Sequence, residues 1–354
     1  MNSKKILIIN NGLAGGGIER ASVSLANYFI RLGYTINVVA LYKSKHFFVL
    51  ENGIEFSEPD FSRETVNRSV YVLRMIHFLR KNVTKLKPDV ILAFGEWTNS
   101  YVVLATLGLG VPVYLSDRMS PVGKLPWASA LLKKYFYKKA NGIIAQTEFA
   151  REILYTKTSS ANIKVISNPV NTIQKTVCEE KNRIVSVGRL SKEKGHKYLI
   201  EAFAMVKDKT WELSLVGDGV EKESLALLAR QLGIMDRVIF HGHISDFSTQ
   251  LSEAKIFVLP SLKEGFPNAL IEAMSLPIAC ISSNYIGSPT EIIKDGINGL
   301  LVEPANASDL ASAITKLIEN PEFRENMASE AYKVRETLAF NKIAKQYLDF
   351  IFKR

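Results

Sequence analysis

Short apolar runs rich in Val, Ile and Leu recur along this chain. They alternate with longer stretches in which apolar residues return every three or four positions. In the first half the short runs are Lys5–Asn10, Thr35–Leu41, Val90–Phe94, Val113–Ser116, Gly142–Ala145 and Lys164–Ser167. Helical spacing predicts helices between them at Ile18–Leu32, Val66–Leu86, Trp127–Lys139 and Glu148–Tyr155. In the second half the strand candidates are Arg183–Val187, Glu212–Val216, Arg237–His241, Ile256–Leu259, Ile278–Ile281 and Gly299–Val302. Helices are predicted at Gly195–Val206, Lys222–Leu232, Pro267–Met274 and Ser308–Ile318. Strands that are continuously apolar, each followed by a helix, imply parallel sheets covered on both faces. Two such series predict an α/β protein with two Rossmann-like doubly wound domains.

A length of 354 residues suits two domains. The boundary is expected near Asn168-Pro169-Val170, giving domains 1–170 and 171–338. Residues 171–182, NTIQKTVCEEKN, are polar without a clear period and read as a linker. The last helix candidate, Ala339–Phe352, carries Phe340, Ile343, Tyr347, Leu348, Phe350 and Ile351, too apolar for a free tail.

Apolar residues make up 47% of the chain and charged residues 23%, which excludes a disordered or fibrous protein. Two cysteines, Cys178 and Cys280, cannot frame a chain this long with disulfides and favour a reducing compartment. The opening MNSKKILIIN lacks the longer apolar core of a secretory signal. The longest uncharged stretch, Trp97–Ser116, is broken by Gly108, Gly110 and Pro112 and reads as a helix and then a strand. Charge adds an asymmetry. Residues 1–170 hold 22 Lys and Arg against 11 Asp and Glu, or +11, while residues 171–354 hold 23 against 24, or −1. An anionic partner is expected for the first half.

Four segments carry candidate chemistry. The loop NNGLAGGGIER joins the first strand to the first helix, and Gly15, Gly16 and Gly17 would let an anion approach a helix N-terminus or simply allow a tight turn. The glycines at 12, 15, 16 and 17 do not form the dinucleotide fingerprint, and the second strand ends in ALYKSK without its acidic residue, so a nicotinamide oxidoreductase is not indicated. SVGRLSKEKG, Ser186–Gly195, sets Arg189 and Lys194 after a strand, where a pyrophosphate or merely solvent would receive them. LPSLKEGFPNALIEAM, Leu259–Met274, puts Glu264 in a loop and Glu272 one turn past Asn268 on a helix face. Two carboxylates beside an anion site can accept hydrogen bonds from sugar hydroxyls. Finally, KLPWASALLKKYFYKK, 124–139, carries Trp127, Leu131, Leu132, Tyr135 and Phe136 at helical spacing among Lys133, Lys134, Lys138 and Lys139, with no acid. Such a helix suits an anionic bilayer surface, or is a core helix with a solvated face. No metal-ligand spacing and no nucleophile elbow is present.

The E-x7-E pair Glu264 and Glu272, RLSKEKG, VGDG at 216–219, FHG at 240–242 and GINGLLVEP at 296–304 together resemble the family-4 retaining glycosyltransferases. GGIER at 16–20 and LSDRMSP at 115–121 extend the resemblance through the first half. It implies the GT-B architecture, two Rossmann-like domains facing across a cleft, with the nucleotide sugar bound chiefly by the second. The terminal helix, 339–354, is then expected to pack back on the first domain. By position Arg189 and Lys194 would hold the donor diphosphate with amides at Asn268 and Ala269, Glu272 the ribose, and Glu264 the transferred sugar. Gly16 and Gly17 would approach the donor from the first domain. Asp117, through the SER-like match, joins Arg189, Lys194 and Glu264 as the catalytic set.

One departure stands out. Many family members place a histidine after the strand that here reads VILAFGEWTN, and this chain has Glu96 and Trp97 there. His77 is expected on a helix face, His46 in a loop, and His241 and His243 near the base pocket. The reading is a retaining, metal-independent glycosyltransferase moving a hexose or N-acetylhexosamine from a UDP-sugar to a glycan or polyprenyl-diphosphate-linked acceptor. It would work in the cytoplasm, peripheral on the inner face of the membrane, in surface-polysaccharide assembly. The rival is a non-catalytic nucleotide-sugar-binding or scaffold protein. The pI of 9.3 raises nucleic acid as a third partner, but no recognition motif supports one.

Overall fold

The computed structural model describes residues 3–352 apart from 63, 65, 119–122, 124, 125 and 288, and of Glu96 the backbone alone. Met119, Ser120 and Pro121 of the SER-like segment, and Lys124 and Leu125 of the basic segment, therefore lie outside the described residues. The chain divides into two compact units, Met1–Asn168 with Ile343–Arg354, and Pro169–Lys342.

In the first unit the strands are β1 (Lys5–Asn10), β2 (Thr35–Ala40), β3 (Glu55–Ser57), β4 (Val90–Phe94), β5 (Val113–Ser116), β6 (Gly142–Ala145) and β7 (Ile163–Val165). They form one sheet in the order β3-β2-β1-β4-β5-β6-β7, and every pairing is parallel. The interleaved helices are α1 (Gly17–Arg31), α2 (Arg68–Leu86), α3 (Glu96–Thr106), α4 (Trp127–Phe136) and α5 (Glu148–Thr158). All five residues of β4 are buried, because helices lie on both sides of a parallel sheet. Local chemistry sets the helix ends. Asn67 caps α2 by accepting from the Val70 amide at 2.9 Å, and α2 stops at Lys87 in the left-handed region, just before Pro88.

The second unit repeats the plan with β8 (Lys181–Val187), β9 (Glu212–Val216), β10 (Val238–Gly242), β11 (Ala254–Leu259), β12 (Ala279–Ser283) and β13 (Leu300–Val302). Their order is β10-β9-β8-β11-β12-β13, again all parallel. Its helices are α6 (His196–Ala204), α7 (Lys222–Gln231), α8 (Ser248–Ser252), α9 (Asn268–Met274), α10 (Ala307–Glu319), α11 (Pro321–Tyr332) and α12 (Val334–Thr337). One hydrophobic cluster gathers around Phe203, Trp211 and Ile314, another around Phe257, Phe266 and Met274. The chain ends in α13 (Phe340–Ile351). Its Tyr347 is fully buried in the first unit, where Phe350 meets Tyr114 edge-on and Phe352 stacks on Tyr34.

Two sequence readings need correction. Residues 171–180 form no helix or strand, as a linker would, but β8 already begins at Lys181, and the segment is held at three points. The Asn171 amide group donates to Glu272, and the backbone amides of Ile173 and Thr176 donate to Ser275 Oγ at 3.1 Å and Ser252 Oγ at 3.0 Å. Side-chain caps from distant positions hold the segment, and they leave no periodicity in its own sequence. Lys133 is likewise not on the basic outer face of α4. It is buried, with its ammonium 2.7 Å from Asp117 Oδ2, and the helix gives way to a 3₁₀ turn at Tyr137–Lys139.

Candidate active site

Doubly wound sheets bind ligands outside the carboxyl ends of the strands where strand order reverses. In the second unit that point lies between β8 and β11. The loop after β8 holds Arg189 and Lys194, and the loop after β11 holds Glu264. The two loops are joined to each other. The Leu262 amide donates to the Glu193 carbonyl at 2.8 Å, and Lys194 Nζ donates to Glu264 Oε1 at 2.6 Å. Gly195, at φ +67°, allows this approach, since a Cβ there would lie 2.0 Å from the Pro260 carbonyl oxygen. Gly217 of VGDG is pressed against the same loop, its would-be Cβ 1.9 Å from the Gly188 carbonyl oxygen. The VGDG glycines thus shape the β8 loop from beneath.

The four charged candidates have different surroundings. Arg189 is exposed. The Lys194 and Glu264 side chains are 25% and 11% exposed, so their ion pair is largely shielded from water. Ser261 Oγ also donates to Glu264 Oε1 at 2.6 Å. Glu272 is buried on α9, and its Oε1 accepts from Asn171 Nδ2 at 2.9 Å. The Asn268 amide is already engaged with the Phe266 carbonyl at 2.9 Å, while Ala269 follows it in the first turn of α9. Arg189, Lys194, Glu264, Asn268, Ala269 and Glu272 therefore all stand on the two loops and the helix at one switch point.

The first-unit candidates sit elsewhere in that unit. Gly16 precedes α1 as its cap and would meet only the mobile end of Glu19, and space is open beside Gly17. Packing within the unit therefore does not dictate the lack of a side chain at Gly17. Asp117, just past β5, is buried and turned inward, taking Lys133 Nζ at 2.7 Å and the Tyr137 hydroxyl at 3.0 Å. Its neighbour Arg118 donates to Ser116 Oγ at 3.0 Å, Asn168 Oδ1 at 2.6 Å and the Tyr347 hydroxyl at 2.8 Å. This guanidinium fastens α13 to the sheet. His77 is exposed on α2, and His46 faces Glu58 Oε2 at 3.2 Å. His241 Nε2 and Ser214 Oγ are hydrogen-bonded at 3.0 Å, and the imidazole's pKa is lowered, by burial first. Among the described residues no cluster of His, Cys, Asp and Glu could hold a metal ion, and no helix is long and apolar enough to cross a membrane.

Sequence reasoning missed Asn171 and Ser261, which position Glu272 and Glu264. Ser261 stood three residues away in the same loop, a signal that could have been used. Asn171 lies 101 positions from Glu272, beyond any local pattern.

The family model for glycosyl transferases group 1 matches residues 171–334, and the model for glycosyltransferase family 4 matches residues 15–174. Between them they account for most of both units. The chain belongs to the family-4, group 1 glycosyltransferases. An uncharacterized glycosyltransferase of Haemophilus influenzae is 28% identical, covering 97% of this chain and 99% of the relative. An α-1,4-N-acetyl-D-galactosaminyltransferase of Campylobacter jejuni, named for a PP-undecaprenol-linked acceptor, is 24% identical over 98% of both chains. Among solved structures, Anabaena HepE in complex with UDP superposes with a TM-score of 0.84 at 18% identity, over 99% of this chain and 100% of that one. The glycosyltransferase thus has the GT-B type of fold, two Rossmann-like lobes in one chain.

Beside the glycosyltransferase's charged loop lies His196, buried at the start of α6 with neither ring nitrogen hydrogen-bonded among the described residues. Burial, and then the charge of Lys194, lower its pKa from 6.5 to about 4. The unfolded chain takes up this proton near pH 6.5, whereas the folded chain refuses it down to about pH 4. The group's contribution is therefore complete above pH 6.5 and declines as pH falls, by about 3 kcal/mol in all. His196→Leu should flatten the acid side of the stability profile, measured by urea unfolding between pH 7 and 4.5. An unchanged slope would contradict this placement.

Proposed function

We propose that the chain is a retaining glycosyltransferase of surface-polysaccharide assembly. It transfers a hexose or N-acetylhexosamine from a UDP-sugar to a glycan or polyprenyl-diphosphate-linked acceptor. One observation carries the reading: Arg189, Lys194, Glu264 and Glu272 gather on two loops and one helix at the β8/β11 switch point. A guanidinium and an ammonium beside two carboxylates suit a ligand that is anionic at one end and hydroxyl-rich at the other. The UDP in HepE and the PP-undecaprenol in the name of the Campylobacter relative support the donor and acceptor classes.

In this reading Arg189 and Lys194 stabilise the charge that builds on the departing diphosphate, and no metal ion is needed for that task. Glu272, already oriented by Asn171, accepts the ribose hydroxyls, and Glu264 accepts from the transferred sugar. The departing phosphate oxygen takes the acceptor proton as the acceptor attacks from the same face, which preserves anomeric configuration. Asp117 serves by holding α4 through Lys133. Removing its carboxylate would strand a buried ammonium, a change of roughly 3–5 kcal/mol.

The first unit offers the membrane side. On α4 the exposed residues Trp127, Leu131, Lys134 and Tyr135 follow helical spacing down one face, with Trp127 82% and Tyr135 61% exposed, and Lys138 is exposed in the 3₁₀ turn that follows. Lys139 is exposed just beyond. Three lysines near an anionic bilayer contribute roughly 3 kcal/mol in all, enough for reversible peripheral binding on the cytoplasmic face.

Two experiments follow. With a panel of nucleotide sugars, the purified protein should release UDP and give a product whose anomeric configuration, read by NMR, equals that of the donor. Activity should persist in EDTA, and Lys194→Ala or Arg189→Ala should lower kcat by roughly 100-fold or more. An inverted product, or near wild-type kinetics in both variants, would refute the reading. Separately, the protein should sediment with anionic but not neutral vesicles, and salt should release it. The variant with Lys134, Lys138 and Lys139 changed to Glu should stay in the supernatant. Equal binding to both vesicle types would exclude the electrostatic dock.

A further inference from the structure

Lys194 faces two demands. It donates to Glu264 Oε1 at 2.6 Å, yet the donor-site reading requires it on a diphosphate and Glu264 on the sugar. A diphosphate outweighs a single carboxylate in charge and would draw the ammonium to itself. Glu264, only 11% exposed, would then keep Ser261 as its one hydrogen-bond donor among the described residues, and a shielded carboxylate that loses its counter-charge needs another donor.

That donor is at hand. Tyr285 follows β12, is 3% exposed, and its hydroxyl is a buried polar group with no hydrogen-bond partner among the described residues. A parallel bridge between Lys263 and Ile286 lays the two segments side by side. A Cβ on Gly287 would lie 2.8 Å from the Glu264 carbonyl oxygen and 3.1 Å from the Tyr285 ring, so the Glu264 main chain and the Tyr285 ring crowd one point. Burial, then the charges of Glu264 and Glu291, raise the phenol's pKa and keep it a neutral donor. Buried hydroxyls in folded proteins are almost always satisfied, and one that is not needs an explanation.

We propose that Tyr285 is a positioning residue for Glu264. When a bound diphosphate takes Lys194, the Tyr285 hydroxyl donates to the Glu264 carboxylate and holds it toward the sugar. This inference rests on the donor-site reading. The Lys194–Glu264 pair is then a resting partner exchange, and the exchange couples diphosphate capture to placement of the sugar-binding carboxylate.

Tyr285→Phe removes one oxygen and preserves the packing. Without nucleotide its thermal stability should be no lower than that of the wild type, because the hydroxyl has no partner among the described residues to lose. UDP affinity, measured by calorimetry, should fall about 10-fold, as for one lost buried hydrogen bond to a charged group. In a Glu264→Gln background the same substitution should cost under threefold, since the pair acts as a unit. A lowered melting temperature without nucleotide, unchanged UDP affinity, or an undiminished effect in the Gln background would each overturn the assignment. If the wild-type protein binds neither UDP nor any UDP-sugar, the donor-site reading itself fails. If it binds them and Tyr285→Phe behaves as wild type, only the role of Tyr285 falls.

Discussion

A parallel sheet whose strand order reverses leaves the carboxyl ends of two neighbouring strands uncovered. The helices that follow those strands depart to opposite faces, so the loops between strand and helix meet above the sheet with nothing packed over them. The second unit builds everything of chemical interest on that constraint. The β8 and β11 loops must approach closely, and they do so through the Leu262 amide on the Glu193 carbonyl and through Gly195 against Pro260. Once backbone fixes the loops, Lys194 and Glu264 meet at 2.6 Å. A charge pair held by backbone on both sides is well defined before any ligand arrives. In the donor-site reading such a pair keeps the Lys194 ammonium at the switch point until a diphosphate claims it.

The first unit uses the same kind of sheet for another purpose. Its charged residues beyond β5 turn inward. Asp117 fixes α4 through Lys133, and Arg118 fixes α13 through Tyr347. The positive charge of this half is therefore divided. Part of it is neutralised in the interior, and part, with Trp127 and Tyr135, is presented outward on α4. The burial of Lys133 separates those two uses within a single helix.

Most of the architecture was legible because it obeys periodicity. Val90–Phe94, Gly142–Ala145 and Glu212–Val216 were readable to the residue, as continuous apolar runs between turn-forming residues. What escaped had weak or distant signals. The three-residue edge strand Glu55–Ser57 is too short and too exposed to show a pattern. Helix Pro321–Tyr332 buries Arg324, Met327, Ala328 and Ala331, a face made largely of small or charged residues, so hydrophobic spacing did not reveal it. At the site, the residue types and their local spacing were readable, but the partners of those residues were not. Asn171 meets Glu272 and Tyr285 nears Glu264 only through tertiary contacts, and the inward turn of Lys133 depends on Asp117 across the unit.

The central claim is that a nucleotide diphosphate sits over the β8/β11 switch point of the second unit. Amide hydrogen exchange of the whole chain, with and without saturating UDP, tests it most directly. The account predicts slowed exchange concentrated in Gly188–Gly195 and in Leu259–Met274, with α4 and the β5 end unaffected. Protection confined to the first unit, or spread evenly over both, would contradict it.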